Sequence, residues 1–286
     1  MASSQQHQNL DCPACATTTP HSLLFCKNGC HILKCTSCGL GRARTVGFDP
    51  RSYYTAAYFS GGHADGYSDY LATGDVLRAQ FRRELQFVRR HCPSGRLIEI
   101  GCAYGFFLQE AKALFDVAGI ELSDAAAEHC RRAGLHVLTG AADNENLERL
   151  GAADVIVLLD VIEHVSDPFD TLACCLKHLR PNGSIILTTG DFASLAARLA
   201  GAHWRLMTPP QHLWFFTVDS FRAWAGRIGM SLESCDHPTK IVPLSLVVYQ
   251  LGRMLGLQPM VRSGSRIGVP INLFDAMRVV LRKATT

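Results

Sequence analysis

Two pairs of cysteines near the N-terminus have the spacing of a metal site. Each pair has the pattern C-x₂-C, and nineteen residues separate the two pairs. Four thiolates in this arrangement hold a tetrahedral zinc ion and leave no open coordination position, so we expect a structural ion. The predicted ligands are Cys12, Cys15, Cys35 and Cys38.

Cys26 and Cys30 are competing ligands for the same ion. The segments "SLLF" and "HILK" on either side of them are typical of two hairpin strands, which places both cysteines near the tip and favours the outer four. The chain has twelve cysteines, six of them within residues 12–38, and no export signal is visible. This pattern indicates metal ligation in a reducing compartment, so we expect a cytoplasmic protein.

The stretch "RLIEIGCAYGFFLQEA", residues 96–111, predicts a ligand site of another kind. It reads as a buried strand, a tight turn marked by Gly101 and Gly105, and a helix start. Backbone N–H groups face the ligand at such a turn. A dinucleotide fingerprint would need a glycine where Phe106 stands, and a P-loop would need Gly-Lys-Ser/Thr, so both are disfavoured.

Two acids indicate what the turn binds. Glu121 in "VAGIELS" ends the next predicted strand, where a carboxylate can accept hydrogen bonds from both hydroxyls of a ribose. Glu99, beside the turn, would repel a phosphate but suits a cationic ligand. The sequence therefore favours a cationic nucleoside.

Two histidines are candidate general bases. His164 lies in "DVIEHV" and His212 in "PPQHLWFF". A neutral imidazole is well suited to take a proton, although an isolated histidine is more often a hydrogen-bonded structural residue. Asp160, Glu163 and His164 also offer ligands for a divalent ion, but nothing else in the sequence requires one.

Strand and helix patterns alternate from residue 97 onward, after an amphipathic helix predicted over 75–92. Alternation of this kind predicts an α/β fold with a doubly wound parallel sheet and ligands at the carboxyl ends of its strands. The predicted strands are 97–100, 116–121, 135–138, 153–159, 184–189, 231–236 and 277–283, and the predicted helices lie near 105–114, 123–133, 144–150 and 168–180.

Charge and hydropathy limit the partners. The net charge of the chain is +3, and that of residues 1–50, which contain the two cysteine pairs, is +2. These small values argue against binding to nucleic acid. Residues 241–257 are apolar and lie in a basic C-terminal region. They could rest on an anionic membrane or approach a phosphorylated acceptor, but an ordinary helix before the last strand is favoured. No apolar run is long enough to predict a spanning helix.

Several separated motifs resemble those of the class I S-adenosylmethionine-dependent methyltransferases. "LIEIGCAYG", "GIELS", "ADVIVLLDVIEHVSDP" and "LRPNGSIILTT" occur in the family's order. "CTSCGL", "PPQHLWFFT" and "VPINLFDAMRVVLRK" are similar to a subgroup that carries an N-terminal zinc ribbon. The resemblance implies a Rossmann-like seven-stranded sheet whose last strand is antiparallel. It divides the chain into a zinc ribbon (1–45), an aromatic linker with a helix (46–94) and a cofactor-binding domain (95–286).

The resemblance also implies residue roles. The turn would line the methionine part of S-adenosylmethionine, and Glu121 would hold the ribose. Leu122 would lie against the adenine, and Asp143 would lie near the adenine amine. The loop over the cofactor would begin at Asp160. The turn residues in question are Gly101, Cys102, Ala103 and Gly105, with Cys102 expected to be a packing residue.

The function expected from these features is methyl transfer to a small molecule. A sugar, a phenol or a natural-product intermediate would be the acceptor, with oxygen as the favoured atom. An RNA methyltransferase using its ribbon to bind RNA, and a non-catalytic zinc-binding assembly protein, are the alternatives. The acceptor and the oligomeric state are left open by the sequence.

Overall fold

The computed structural model describes residues 7–45, 48–49, 53, 70–244, 247–248 and 267–283 of the 286-residue chain. The chain divides into two compact units. The first unit comprises Met1–Pro50, Asp143–Pro238 and Leu273–Thr286. The second unit comprises Arg51–Ala142 and Thr239–Asn272.

Strands and helices alternate after a β-rich N-terminal region. The strands are β1 His7–Cys12, β2 Thr17–Lys27, β3 Cys30–Cys35, β4 Gly41–Arg44, β5 Gly95–Ile100, β6 Phe115–Glu121, β7 His136–Thr139, β8 Ala153–Leu159, β9 Leu179–Gly190, β10 Trp214–Phe215, β11 Met230–Asp236, β12 Lys240–Pro243, β13 Gly268–Ile271 and β14 Ala276–Lys283. The helices are α1 Gly74–His91, α2 Phe106–Ala111, α3 Asp124–Arg132, α4 Asn144–Leu150, α5 Pro168–Lys177, α6 Leu195–Ala200 and α7 Val218–Ala225.

Seven strands form one sheet in the order β11–β14–β9–β8–β5–β6–β7. In the second unit β5, β6 and β7 pair in parallel. In the first unit β8 and β9 are parallel, whereas β14 is antiparallel to β9 and β11. Strand β8, "ADVIVLL", is buried at consecutive positions, as in a parallel sheet covered on both faces. The predicted seven-stranded sheet with an antiparallel last strand is confirmed.

The N-terminal strands form a second sheet in the order β1–β2–β3–β4–β10. β2 and β3 make the hairpin predicted from "SLLF" and "HILK". Asn28 and Gly29 at its tip have φ of 49° and 75°. Two-residue hairpin turns require this left-handed backbone, and Asn-Gly adopts it readily. β10 comes from much later in the chain and pairs antiparallel with β4.

Several element boundaries differ from the predictions. Strand β9 begins at Leu179 instead of 184, because "RPNG" extends the strand and does not end a helix. The beginning of the apolar stretch 241–257, for which a helix is favoured, instead lies in the strand β12, which pairs with β13. Ile241 and Val242 are β-branched and suit a strand.

Residues 249–257 of that apolar stretch lie outside the described residues, as do residues 54–69 of the predicted aromatic linker. Within the described part of the chain, no helix has the length and apolar character needed to cross a bilayer.

Candidate active site

The turn after β5 is built from left-handed residues in the second unit. Gly101, Ala103 and Gly105 have φ of 69°, 46° and 74°. The Gly105 N–H donates to the Cys102 carbonyl at 2.8 Å, and the Gly101 N–H donates to the Ile120 carbonyl on β6 at 2.8 Å. The turn is therefore closed on itself and attached to the neighbouring strand.

Glycine is required at position 105 by space as well as by φ. A Cβ there would lie 2.6 Å from Leu135 Cδ1 and 2.8 Å from Cys130 Sγ. The Cys130 thiol itself donates to the Ala103 carbonyl at 3.2 Å. Cys102 is buried, and its hydrogen bond with Cys130 together with burial raises the pKa of its thiol well above the ordinary value. Cys102 is thus a protonated packing residue and not a nucleophile.

The Glu121 carboxylate connects the turn to the end of β6. Its Oε2 accepts a hydrogen bond from the Ala103 N–H at 2.7 Å, and its Oε1 accepts one from the Ser123 N–H at 2.8 Å. Burial raises the pKa of this carboxyl group, while the two N–H donors oppose the rise. Each oxygen has a second lone pair, so the carboxylate can hold the turn and still accept hydrogen bonds from two ligand hydroxyls.

Glu99 lies beside the turn on β5 and is only 3% exposed. Its Oε2 atom has no hydrogen-bond partner among the described residues. Burial, with smaller contributions from Cys130 and Glu121, raises its pKa well above the ordinary value. An unpartnered buried carboxyl oxygen fits a cationic ligand, which would supply a partner and favour the ionised form.

The first unit brings Glu163, His164 and His212 together. One side-chain ligand atom from each lies within 4.8 Å of the others. His164 Nδ1 donates to the Gln211 carbonyl at 2.9 Å, and His212 Nδ1 donates to the Leu206 carbonyl at 2.7 Å. Because a carbonyl can only accept, Nδ1 carries the hydrogen in both neutral rings and Nε2 carries the lone pair.

Both imidazoles are neutral at neutral pH. Burial lowers the pKa of His164, and burial together with the neighbouring His164 lowers the pKa of His212 to about 3. Glu163 is buried, and the Thr189 hydroxyl donates to its Oε2 at 3.0 Å. One carboxylate and two neutral imidazoles can receive a proton or ligate a divalent cation.

The remaining predicted cofactor residues occupy defined positions. Asp160 follows β8 with φ of 56°, and its Oδ1 accepts a hydrogen bond from the Thr188 hydroxyl at 2.8 Å. Asp143 caps the N-terminus of α4 by accepting a hydrogen bond from the Asn146 N–H at 2.9 Å. Leu122 is half-buried after β6. Their roles toward a cofactor stay predictions.

The sequence indicated Glu163 only as one of three ligands for a divalent ion, with Asp160 and His164, and did not place it beside His212. Thr189 was also missed, since a threonine at the end of a strand has no distinguishing pattern.

The fold gathers the outer four cysteines, Cys12, Cys15, Cys35 and Cys38. Their Sγ atoms lie within 4.8 Å of one another, and the Cys12 and Cys38 sulfurs are 3.5 Å apart. A tetrahedral zinc site with Zn–S bonds of about 2.3 Å has sulfurs about 3.8 Å apart, so the cluster fits the ion.

The two knuckles have the same backbone geometry. The Ala16 N–H donates to the Cys12 carbonyl at 2.7 Å, and the Gly39 N–H donates to the Cys35 carbonyl at 3.0 Å. Ala16 and Gly39 also share a left-handed φ of 51° and 76°. The competing Cys26 is exposed, and its partner in that alternative, Cys30, packs in an apolar core with Ile32.

A glycine turn held by an acid on the next strand, together with a seven-stranded sheet of this order, defines the S-adenosylmethionine-binding methyltransferase class. Residues 76–234 match the family described as "Methyltransferase domain". The chain therefore belongs to the S-adenosylmethionine-dependent methyltransferases and is an enzyme of that class, with an N-terminal four-cysteine cluster.

Known proteins support this assignment. The chain is 32% identical over 191 residues to a ubiquinone biosynthesis O-methyltransferase from Methylococcus capsulatus, covering 62% of this chain and 81% of that protein. The protein of the same name from a Caulobacter species is 35% identical over 141 residues, with 45% of this chain and 56% of that protein covered.

The fold is also similar to a solved structure, the magnesium protoporphyrin IX methyltransferase from Synechocystis with bound S-adenosylhomocysteine. The TM-score is 0.52 at 13% identity, over 82% of this chain and 98% of that one.

Replacing Glu99 with Gln tests the buried carboxyl. Since the folded state raises the pKa above the ordinary 4.5, it binds the proton more tightly than the unfolded state does. The contribution of Glu99 to the free energy of unfolding should be largest below about pH 4.5 and should be lost as the pH rises through the raised value. Glu99→Gln should remove this decline and be the more stable protein at neutral pH, measured by urea unfolding over a pH series.

Glu128→Gln is the matched control. Glu128 is half-buried, and hydrogen bonds from Arg131 and Arg132 lower its pKa. Its contribution therefore has the opposite sign and is lost as the pH falls. Parallel stability profiles for the wild type and Glu99→Gln would contradict a raised pKa of Glu99.

Proposed function

We propose that this methyltransferase transfers the methyl group of S-adenosylmethionine to an oxygen atom of a small-molecule acceptor. The observation that carries the proposal is the pair of neutral imidazoles, His164 and His212, beside the Glu163 carboxylate. Both relatives described above are named O-methyltransferases, which supports oxygen as the acceptor atom. A phenolic hydroxyl is the acceptor group that fits this chemistry best.

The donor would be held by the second unit. We assign the ribose hydroxyls to the remaining lone pairs of the Glu121 carboxylate and the methionine part to the turn from Gly101 to Gly105. The cationic amine or sulfonium would interact with Glu99, whose Oε2 has no other partner in the described structure. Leu122 would pack against the adenine.

Methyl transfer from a sulfonium is an in-line displacement. The acceptor oxygen forms a bond to the methyl carbon while the carbon–sulfur bond breaks, and S-adenosylhomocysteine leaves as a neutral thioether. The enzyme has to align the acceptor, exclude water and remove the hydroxyl proton. In this proposal the Nε2 lone pairs of His164 and His212 serve the last task, and Asp160 belongs to the loop that covers the cofactor.

The low pKa of His212 favours a second form of the same function. A phenol has a pKa of about 10, whereas that of His212 is about 3, so direct proton transfer would be strongly uphill. Glu163, His164 and His212 would serve better as ligands of a divalent cation. Such a cation would lower the pKa of the acceptor hydroxyl.

The ribbon contacts support a small acceptor over RNA. The Lys27 ammonium donates to the Ala202 carbonyl, and Lys34 lies over the Phe192 ring, 5.5 Å from its centroid. Arg42 lies over Trp214 at 5.7 Å. These cations pack on the first unit itself, so they do not form a free basic face of the kind that nucleic acid requires.

We also propose that the four-cysteine cluster binds a structural zinc ion. Four converging sulfurs and two matching knuckles fit a closed tetrahedral site without a position for substrate. The ion would fix the ends of the ribbon strands.

The donor assignment predicts that Glu121→Gln weakens S-adenosylhomocysteine binding. The amide can accept only at one end, so its NH₂ would face one of the two N–H donors and one ribose hydroxyl would lose its charged acceptor. A loss of about ten- to a hundred-fold in affinity is expected by isothermal titration calorimetry. Glu128→Gln, on α3, should bind like the wild type. Unchanged affinity in Glu121→Gln would remove Glu121 from the site.

The acceptor assignment predicts that His212→Ala lowers methyl transfer to a catechol probe such as 3,4-dihydroxybenzoate by at least about a hundred-fold. The affinity of the His212→Ala variant for S-adenosylhomocysteine should be unchanged. His178→Ala is the control, since His178 Nδ1 also bonds a backbone carbonyl, that of Cys174, but lies outside the cluster. Wild-type turnover in His212→Ala would contradict the assignment.

Chelation separates the two forms of the reaction. If a cation activates the hydroxyl, EDTA should abolish turnover and added Mg²⁺ or Mn²⁺ should restore it in the wild type but not in Glu163→Gln. If an imidazole takes the proton directly, turnover should be insensitive to EDTA.

The zinc assignment predicts about one zinc ion per chain in the purified protein. Cys12→Ser should lose the ion and unfold at a lower temperature, because two knuckles share it. Cys26→Ser should retain it, since Cys26 is exposed and outside the cluster. Metal analysis by mass spectrometry distinguishes these results, and full zinc content in Cys12→Ser would contradict the ligand set.

A further inference from the structure

The tip of the ribbon hairpin contacts the segment that contains His212. Residues 201–213, between α6 and β10, are called the acceptor segment below. The Asn28 side-chain amide donates to the Pro209 carbonyl at 2.7 Å, and the neighbouring Lys27 ammonium donates to the Ala202 carbonyl. Both contacts lie within the first unit and join residues that are more than 170 positions apart.

Asn28 meets two requirements at once. The turn needs a residue that tolerates a φ of 49°, which favours Asn, Asp or Gly. The contact with Pro209 needs a side-chain N–H donor. Of these three residues only Asn supplies the donor, since Asp accepts and Gly has no side chain.

The acceptor segment in turn sets the geometry of the two histidines. Pro209 lies between Leu206 and His212, the two residues joined by the His212 Nδ1 hydrogen bond of 2.7 Å. The His212 N–H also donates to the Thr208 carbonyl at 3.0 Å. His164 is held from the same segment, because its Nδ1 donates to the Gln211 carbonyl. A shift at Pro209 would therefore move both imidazoles.

Apolar packing and backbone pairing hold the two elements together. Cys30 and Ile32 of the ribbon share one buried core with Trp204, Met207 and Phe215. β10 continues directly from the acceptor segment and pairs with β4 of the ribbon, opposite Arg42 and Gly41.

Gly41 has no room for a larger residue. A Cβ there would lie 2.7 Å from the Phe192 ring and 2.9 Å from Phe215. The ribbon and the acceptor segment therefore form one packed body.

We propose that Asn28 is a positioning residue for the reaction: the ribbon hairpin holds the acceptor segment through Asn28 and thereby orients His212 and His164. The ribbon thus acts as a structural support for the acceptor segment and not as a separate binding module. This inference rests on the proposed function in placing the two histidines at the acceptor.

Two variants retain the turn and remove the donor. Asn28→Asp and Asn28→Gly both tolerate the left-handed backbone, but neither can donate to the Pro209 carbonyl. The matched control is Asn182, which also precedes a glycine and has a φ of 63°, but lies exposed in β9. Asn182→Asp and Asn182→Gly make the same chemical change away from the acceptor segment.

The first readout is the imidazole ¹⁵N and N–H resonances of His164 and His212 in the ligand-free protein. Both Asn28 variants should shift or broaden them, and the Asn182 variants should not. The second readout is kinetic. The kcat/KM for 3,4-dihydroxybenzoate should fall about three- to ten-fold, as expected for the loss of one hydrogen bond, while S-adenosylhomocysteine affinity stays unchanged.

Unchanged imidazole resonances in both Asn28 variants would overturn the proposal, as would an equal effect in the Asn182 variants. Reduced S-adenosylhomocysteine affinity in step with turnover would also overturn it, because the effect would then be a general loss of structure. Failure of the proposed function looks different. In that case His212→Ala keeps full turnover, while the Asn28 variants still shift the His212 resonances.

Discussion

The Glu121 carboxylate, accepting one hydrogen bond at each oxygen, is the interaction on which the turn after β5 depends. It joins the Ala103 N–H of the turn to the Ser123 N–H beyond β6, at 2.7 and 2.8 Å. This hydrogen bond stabilises Ala103 in its left-handed conformation, which is costly for a residue other than glycine. The same carboxylate is the group assigned to the ribose. In the proposed function, the turn and the recognition of the donor would therefore depend on one side chain.

In the first unit, hydrogen bonds to the backbone likewise hold the two histidines. The backbone carbonyls of Leu206 and Gln211 fix the tautomers of His212 and His164, so that each ring keeps its lone pair on Nε2. Burial then keeps both rings neutral. In the turn after β5 and in the histidine cluster alike, hydrogen bonds to backbone groups fix the orientation of the side chains. The ribbon hairpin supports the second arrangement through the Asn28 amide.

Much of this could be predicted from the sequence, because the relevant patterns are local. Apolar runs and glycine positions predicted the strands β5 to β9 and the turn at Gly101 and Gly105. The spacing of two C-x₂-C pairs predicted the cysteine cluster. The end of β6 marked Glu121 as a site candidate.

Contacts between distant residues could not be predicted in this way. Asn28 and Pro209 are 181 positions apart, and His164 and Gln211 are 47 apart. No periodicity in either segment indicates its partner. The strand β12 was also missed, since its pairing with β13 overrides the local apolar pattern that favoured a helix.

A crystal structure with bound S-adenosylhomocysteine tests the central claim most directly. The account predicts both ribose hydroxyls within hydrogen-bond distance of the Glu121 carboxylate, with the Ala103 and Ser123 hydrogen bonds retained. A ligand whose ribose is held by other groups, or a Glu121 side chain that leaves the turn when the ligand binds, would contradict it.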